Sequence, residues 1–323
     1  MTRLSIHLLL LFVFLQHVSF LTAQNTRRFG PQNNTDRFPG CGTDEHITYL
    51  RKMGKLPYPE QKGSPGVPQT ESGQMLPGVR CDLDGGIPVV VHIIHLGEPV
   101  GTGSNISDAQ VRQAINGLND WWNNISGNGV PLGISFQLAT RDPSGNATNG
   151  ITRTNGSSVP GYSANGLSHN GSPGASETDI KNLIRWNQTN YYNIWVVHNI
   201  NGSAAGYAYY PQATTFPNDG TVLEHIYMTY NATVLAHELG HAFNLAHTFA
   251  GDAAGCPANA DCTVDGDGVC DTPPHKQNDC GTTNPCPGGG IWNNSRFNIM
   301  SYCGGTDRFT AGQRDRVQLA LRN

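Results

Sequence analysis

The sequence predicts an α/β (α+β) protein: a twisted mixed sheet with packed helices, then an irregular, disulfide-rich C-terminal subdomain. Three observations carry that prediction. Short β-branched runs alternate with segments of helical period between residues 87 and 244. Six of the eight cysteines (Cys256, Cys262, Cys270, Cys280, Cys286, Cys303) fall in the last quarter. Hydrophobic patterning is weakest in that same quarter, where disulfides would replace a core that the loops cannot build.

Taken in order, residues 1–23 read as a secretory signal peptide. Arg3 precedes an apolar run from Leu8 to Leu21, and small Ala23 marks the exit. The run is short and interrupted for a membrane span. Residues 24–80, rich in Pro, Gly and Gln, read as a pro-segment or linker, and residues 81–323 as the main domain. Export agrees with the cysteine content. The net charge of −4 and the absence of a dense basic run exclude a nucleic-acid or anionic-membrane surface.

Within the main domain, Ile87 to Ile94 is a buried strand. Ser107 and Gln110 form a capping-box pattern opening a helix with Val111, Ile115, Leu118 and Trp122 on one face. Ile134 to Leu138 alternates like a half-buried strand. A second helix is expected over Glu177 to Trp186, then strands over Tyr192 to Ile200 and Leu223 to Met228. A helix from about Thr233 to Asn244 follows, and Thr310 is placed to cap a final helix carrying Val317 and Leu321.

His237-Glu-Leu-Gly-His241 is the centre of the functional reading. Residues four apart on a helix share a face, so the two imidazoles can converge on one ion. Glu238 is offset along the same helix, placed to take a proton from water and return it to a leaving amine. His247, six residues beyond His241, reaches the same ion only if the chain reverses near Asn244 with positive φ, which asparagine tolerates better than other non-glycine residues. A scaffold that merely bound metal would have no need of Glu238.

His237-Glu-x-x-His241-x-x-Asn244-x-x-His247 resembles the metzincin zinc motif, and Asn298-Ile-Met300-Ser-Tyr302 resembles its Met-turn. His247-Thr-Phe249, Gly266 to Pro273 and Phe309 to Gln313 are similar to the pappalysin (ulilysin- and cytophagalysin-like, M43) peptidases. The resemblance spans about Ile87 to Arg322. It implies a metzincin-like catalytic domain and a secreted, monomeric zinc endopeptidase acting on proteins or peptides, with no membrane attachment after signal cleavage. It further implies one catalytic Zn2+ on His237, His241 and His247, an apolar floor from Met300, and an oxyanion donor in Tyr302.

By the same resemblance, Phe38 to Asp44 is similar to a cysteine-switch segment, in which Cys41 fills the open zinc position of a latent zymogen. The competing pairing of Cys41 with Cys81 stays open at this level. Cys256–Cys286 and Cys280–Cys303 are the implied crossed pair, leaving Cys262–Cys270 local. Asp265, Asp267, Asp271 and Thr272 lie in an oxygen-rich loop, and relatives carry calcium in this region, so Ca2+ is a second candidate ion. Some relatives prefer a basic residue after the cut and place an aspartate just before the cysteine after the Met-turn. Here Cys303 directly follows Tyr302, and the nearest acid is Asp307.

Overall fold

The structure, a computed structural model, describes residues 86–211, 218–288 and 290–321, together with Cys41 and Thr43. All of these belong to one unit, Asn33–Asn323. The segments expected as signal peptide and, apart from Cys41 and Thr43, as pro-segment lie outside the described residues, as does Cys81.

The β-branched run forms β1 (Ile87–His95), with Val89, Val90, Val91, Ile93 and Ile94 all fully buried. Burial on both faces is what a central strand of a covered sheet requires. Then follow β2 (Phe136–Leu138), β3 (Ile151–Asn155), β4 (Leu167–Ser168), β5 (Tyr192–Val197), β6 (Ile200–Asn201), β7 (Gly206–Ala208) and β8 (Thr221–Glu224). Six of them form one sheet in the order β2-β1-β5-β8-β7, with β3 pairing along a further stretch of β1. β4 and β6 make a separate pair. Only β7 runs antiparallel to its neighbour in the large sheet.

Helix α1 (Asp108–Trp122) buries Val111, Ile115, Leu118 and Trp122, each such side chain contributing about 1.5–3 kcal/mol. Ser107 Oγ accepts from the Gln110 amide at 3.2 Å. The reciprocal arm of the capping box is absent, because the Gln110 side chain donates to the Met228 carbonyl at 3.1 Å. Helix α2 (Glu177–Leu183) stops short of the expected Trp186. Ile184 turns extended, and the Trp186 amide donates to Asn193 Oδ1 at 2.9 Å. The strand expected over Tyr192 to Ile200 breaks after Val197 into β5 and β6. The one expected over Leu223 to Met228 ends at Glu224, where His225–Tyr227 winds into a 3₁₀ turn.

Helix α3 (Thr233–Ala242) packs on α1, and the Trp122 ring meets Phe136, Phe243 and Phe309 edge-on at 4.8–5.9 Å. Beyond it the chain is irregular, joined by disulfides Cys256–Cys286, Cys262–Cys270 and Cys280–Cys303. Helix α4 (Ala311–Ala320) starts at a complete capping box between Thr310 and Gln313. Gln313 also exchanges two 2.9 Å hydrogen bonds with the Asn298 amide, both fully buried, which fixes the Met-turn segment against α4.

Candidate metal centre

The site is built on α3, from its middle to its C-terminal end. His237 and His241 project from one face, and the helix then ends in a Schellman motif. Asn244 takes φ +71, its amide donates to His241 O at 2.9 Å, and the Leu245 amide donates to Gly240 O at 2.9 Å. That reversal brings His247 back to the first two histidines. Arg316 Nε donates to Asn244 O at 2.6 Å and holds the turn from α4.

The three Nε2 atoms lie 3.1–3.2 Å apart. Cys41 Sγ is 3.2 Å from His241 Nε2, so three nitrogens and a sulfur form a buried group able to hold a metal ion. The chemistry of the donor set supports a cation. His237 Nδ1 donates to Ile299 O at 2.6 Å and His241 Nδ1 donates to Leu245 O at 2.7 Å. Carbonyls only accept, so both rings carry their proton on Nδ1 and turn bare Nε2 lone pairs toward each other. Two such lone pairs at 3.2 Å, in residues with no solvent exposure, repel unless a cation sits between them.

Around the nitrogens the rings pack closely. Phe249 stacks on His247 with centroids 4.6 Å apart and planes 9° apart, and Tyr210 meets His241 edge-on at 5.4 Å. Met300, fully buried, lies beneath the helix against Gly240. Tyr302 rests beside His247, ring centroids 4.8 Å apart, and its hydroxyl donates to the Cys41 carbonyl at 2.8 Å.

Glu238 is fully buried beside the histidines. Its Oε2 accepts from Thr43 Oγ1 at 3.1 Å and from the Cys41 thiol at 3.4 Å. Thr43 Oγ1 in turn accepts from the Ala208 amide at 3.0 Å, and Cys41 bridges Gly206 in parallel fashion. Cys41 and Thr43 between them therefore touch the edge strand β7, the carboxylate, the tyrosine and the histidine cluster.

The loop carboxylates are not gathered in this way. Asp265 accepts from the Ala260 and Asp261 amides, Asp267 from the Val269 amide and Thr272 Oγ1, and Asp271 from Thr310 Oγ1 and the Gly312 amide. Burial pushes the Asp267 carboxyl up to about 7. Asp307 is held by Arg308 at 2.7 Å and by the Asn128 amide at 2.7 Å. Sequence reasoning missed Thr43, Tyr210 and Arg316, and gave Phe249 no role. A hydroxyl two residues from Cys41 was the available signal for the first; nothing in the sequence marks the pairing of Arg316 with Asn244.

Comparison with known proteins agrees with this geometry. The model of peptidase family M43, described as pregnancy-associated plasma protein-A, matches residues 174–322. An extracellular metalloprotease of Arthroderma otae is 29% identical over 258 residues, covering 76% of this chain and 81% of its own. Mature mirolysin of Tannerella forsythia, solved with a cleaved peptide, superimposes with TM-score 0.55 at 29% identity over 72% of this chain and 89% of that one. Mirolysin with compound 9 is 30% identical, TM-score 0.52, over 72% of this chain and 90% of its own. A promirolysin mutant matches over 73% of this chain and 79% of its own, at 29% identity and TM-score 0.52.

The fold and the histidine cluster thus define a zinc metalloendopeptidase of the metzincin type. Within that class the chain belongs to the M43, or pappalysin, family.

Proposed function

We propose that this chain is a secreted endopeptidase made in a latent form, with His237, His241 and His247 as its zinc ligands and Glu238 as its general base. The observation that carries the reading is the convergence of three Nε2 atoms, 3.1–3.2 Å apart, beside a buried carboxylate, with those of His237 and His241 left bare by their Nδ1 hydrogen bonds. Zinc held by His237, His241 and His247 would supply Lewis-acid chemistry, polarising a peptide carbonyl and lowering the pKa of bound water toward neutral.

The protein's own groups supply the rest. Glu238 removes the proton of the attacking water and delivers it to the departing amine. Tyr302 donates to the oxygen on which charge develops; its hydrogen bond to the Cys41 carbonyl is the same contact made to a resting peptide bond. Substitution of Glu238 by Gln is expected to abolish casein cleavage while one zinc per chain remains by atomic absorption. Full activity in that variant would refute the assignment. Tyr302→Phe is expected to lower kcat by about 10²-fold with little change in KM, the cost of one oxyanion donor.

Residues 1–23 as signal peptide, 24–80 as pro-segment and 81–323 as catalytic domain complete the proposal. The relatives' names as extracellular metalloproteases and the promirolysin likeness support export and latency. Cys41 at the metal position and Thr43 on Glu238 are the inhibitory contacts. Cys41→Ala, kept uncleaved, is expected to show activity that the unprocessed wild type lacks, and Thr43→Val a smaller leak. Calcium enters only as a structural ion of the loop carrying Asp267, Asp271 and Thr272. Its test is the melting temperature with added Ca2+ against equal Mg2+; identical curves would remove it from the proposal.

A further inference from the structure

His247 is the ligand least supported by regular structure. It follows the end of α3, and neither it nor Thr248 to Gly251 lies in a helix or strand. Its ring direction therefore depends on side-chain contacts, with Tyr302 on one side and Phe249 of its own short segment among them. Phe249 lies flat on the imidazole, with planes 9° apart. Thr248 points the other way, its amide donating to the Met300 carbonyl at 3.2 Å and its hydroxyl contacting His275 Nε2 at 2.7 Å.

His275 sits in the disulfide-tied loop and is fully buried. Its Nδ1 lies 2.9 Å from the Lys276 carbonyl, which can only accept. Nδ1 therefore carries the proton, Nε2 is bare, and the Thr248 hydroxyl is the donor of the short bond. The same ring meets Phe249 edge-on at 5.9 Å and is backed by Trp292 at 5.3 Å. One side chain thus grips both residues that follow the third histidine: Thr248 by a hydrogen bond, Phe249 by an aromatic contact.

We infer that His275 is a positioning residue for the metal, acting through Thr248 and Phe249 to aim His247 at the ion. It touches neither substrate nor metal. The inference rests on the zinc assignment above and extends it to a residue 28 positions further along the chain than His247. The acceptor at the Nε2 position is the element that matters, so the substitutions separate cleanly. Glutamine can present an acceptor oxygen there; asparagine is too short to reach Thr248 while still able to donate to its neighbouring carbonyl.

The test uses the full chain, loaded with zinc and challenged with excess 4-(2-pyridylazo)resorcinol well below the melting transition. H275A, H275N and T248V are expected to lose zinc affinity about tenfold, at the low end for residues that orient metal ligands. H275Q and T248S are expected to stay near wild type. Cobalt-loaded H275A should also show a shifted visible absorption band, which a purely structural role would leave in place. Wild-type release and spectrum in folded H275A, or H275Q no better than H275A, would overturn the inference. If H275A does not fold, the comparison of T248V with T248S decides in its place. Wild-type chain that holds no zinc at all would instead sink the metal-centre assignment itself.

Discussion

Gly240 lies between the two helical histidines, and the sulfur of Met300 occupies the space that a side chain there would need. Alanine in a helix normally gains about 1 kcal/mol over glycine. At this position the overlap with a packed sulfur costs about 1–3 kcal/mol, so the clash wins. Gly240→Ala is expected to lower the melting temperature and the zinc content together, and Met300→Ala in the same chain to restore part of both. An unchanged melting temperature in the single variant would show that the floor beneath the helix yields freely. The turn at Asn244 was legible in the sequence because the ligand spacing demanded a reversal that few residues can make. Gly240 was not, because its reason lies 60 residues away in Met300.

Between the strands, His92 carries a titration of the sheet itself. It projects from β1, with Nδ1 2.7 Å from Thr152 Oγ1 on β3 and Nε2 2.8 Å from Asn193 Oδ1 on β5. Burial lowers its pKa from 6.5 to about 4, against a smaller upward pull from Asn193. The unfolded chain therefore takes up the proton first. This group's effect is nil above pH 6.5, grows destabilising as pH falls, and is complete below about 4. A shift of this size corresponds to about 3 kcal/mol, read as the difference in unfolding free energy between wild type and His92→Gln across that window. Parallel curves for the two proteins would contradict it. β1 and α1 were readable because long apolar runs with a clear period have one way to be buried. β3 and β7 were missed for opposite reasons. Ile-Thr-Arg-Thr-Asn offers one apolar residue to its neighbours, and Gly-Tyr-Ala is too short and small to signal a strand. Pairing with β1 and β8 makes them strands, and no local pattern encodes that pairing.

At the scale of the molecule, the sheet and α3 draw on an apolar core to which Ile299, Met300, Phe309 and Val317 also contribute, whereas the loops between residues 256 and 303 add sulfur. The bridges Cys256–Cys286 and Cys280–Cys303 close loops with sequence separations of 30 and 23. Closure of that length is worth about 3–4 kcal/mol each in the chain-entropy account. Reduction by tris(2-carboxyethyl)phosphine is expected to lower the melting temperature and to expose residues between 256 and 303 to trypsin before the sheet is cut. Simultaneous digestion of both regions would contradict this. Cys303 is the residue directly after Tyr302, and its bond to Cys280 anchors that phenol to the same loop that holds His275. The proposed ligands on α3 lie outside every disulfide, whereas the proposed oxyanion donor Tyr302 sits next to one. A polypeptide still inside a reducing compartment would thus own an ion-binding helix before it owned a working cleft. On the proposed latency, thiol chemistry would then guard the producing cell twice: Cys41 would restrain the finished enzyme, and the unformed Cys280–Cys303 bond the unfinished one.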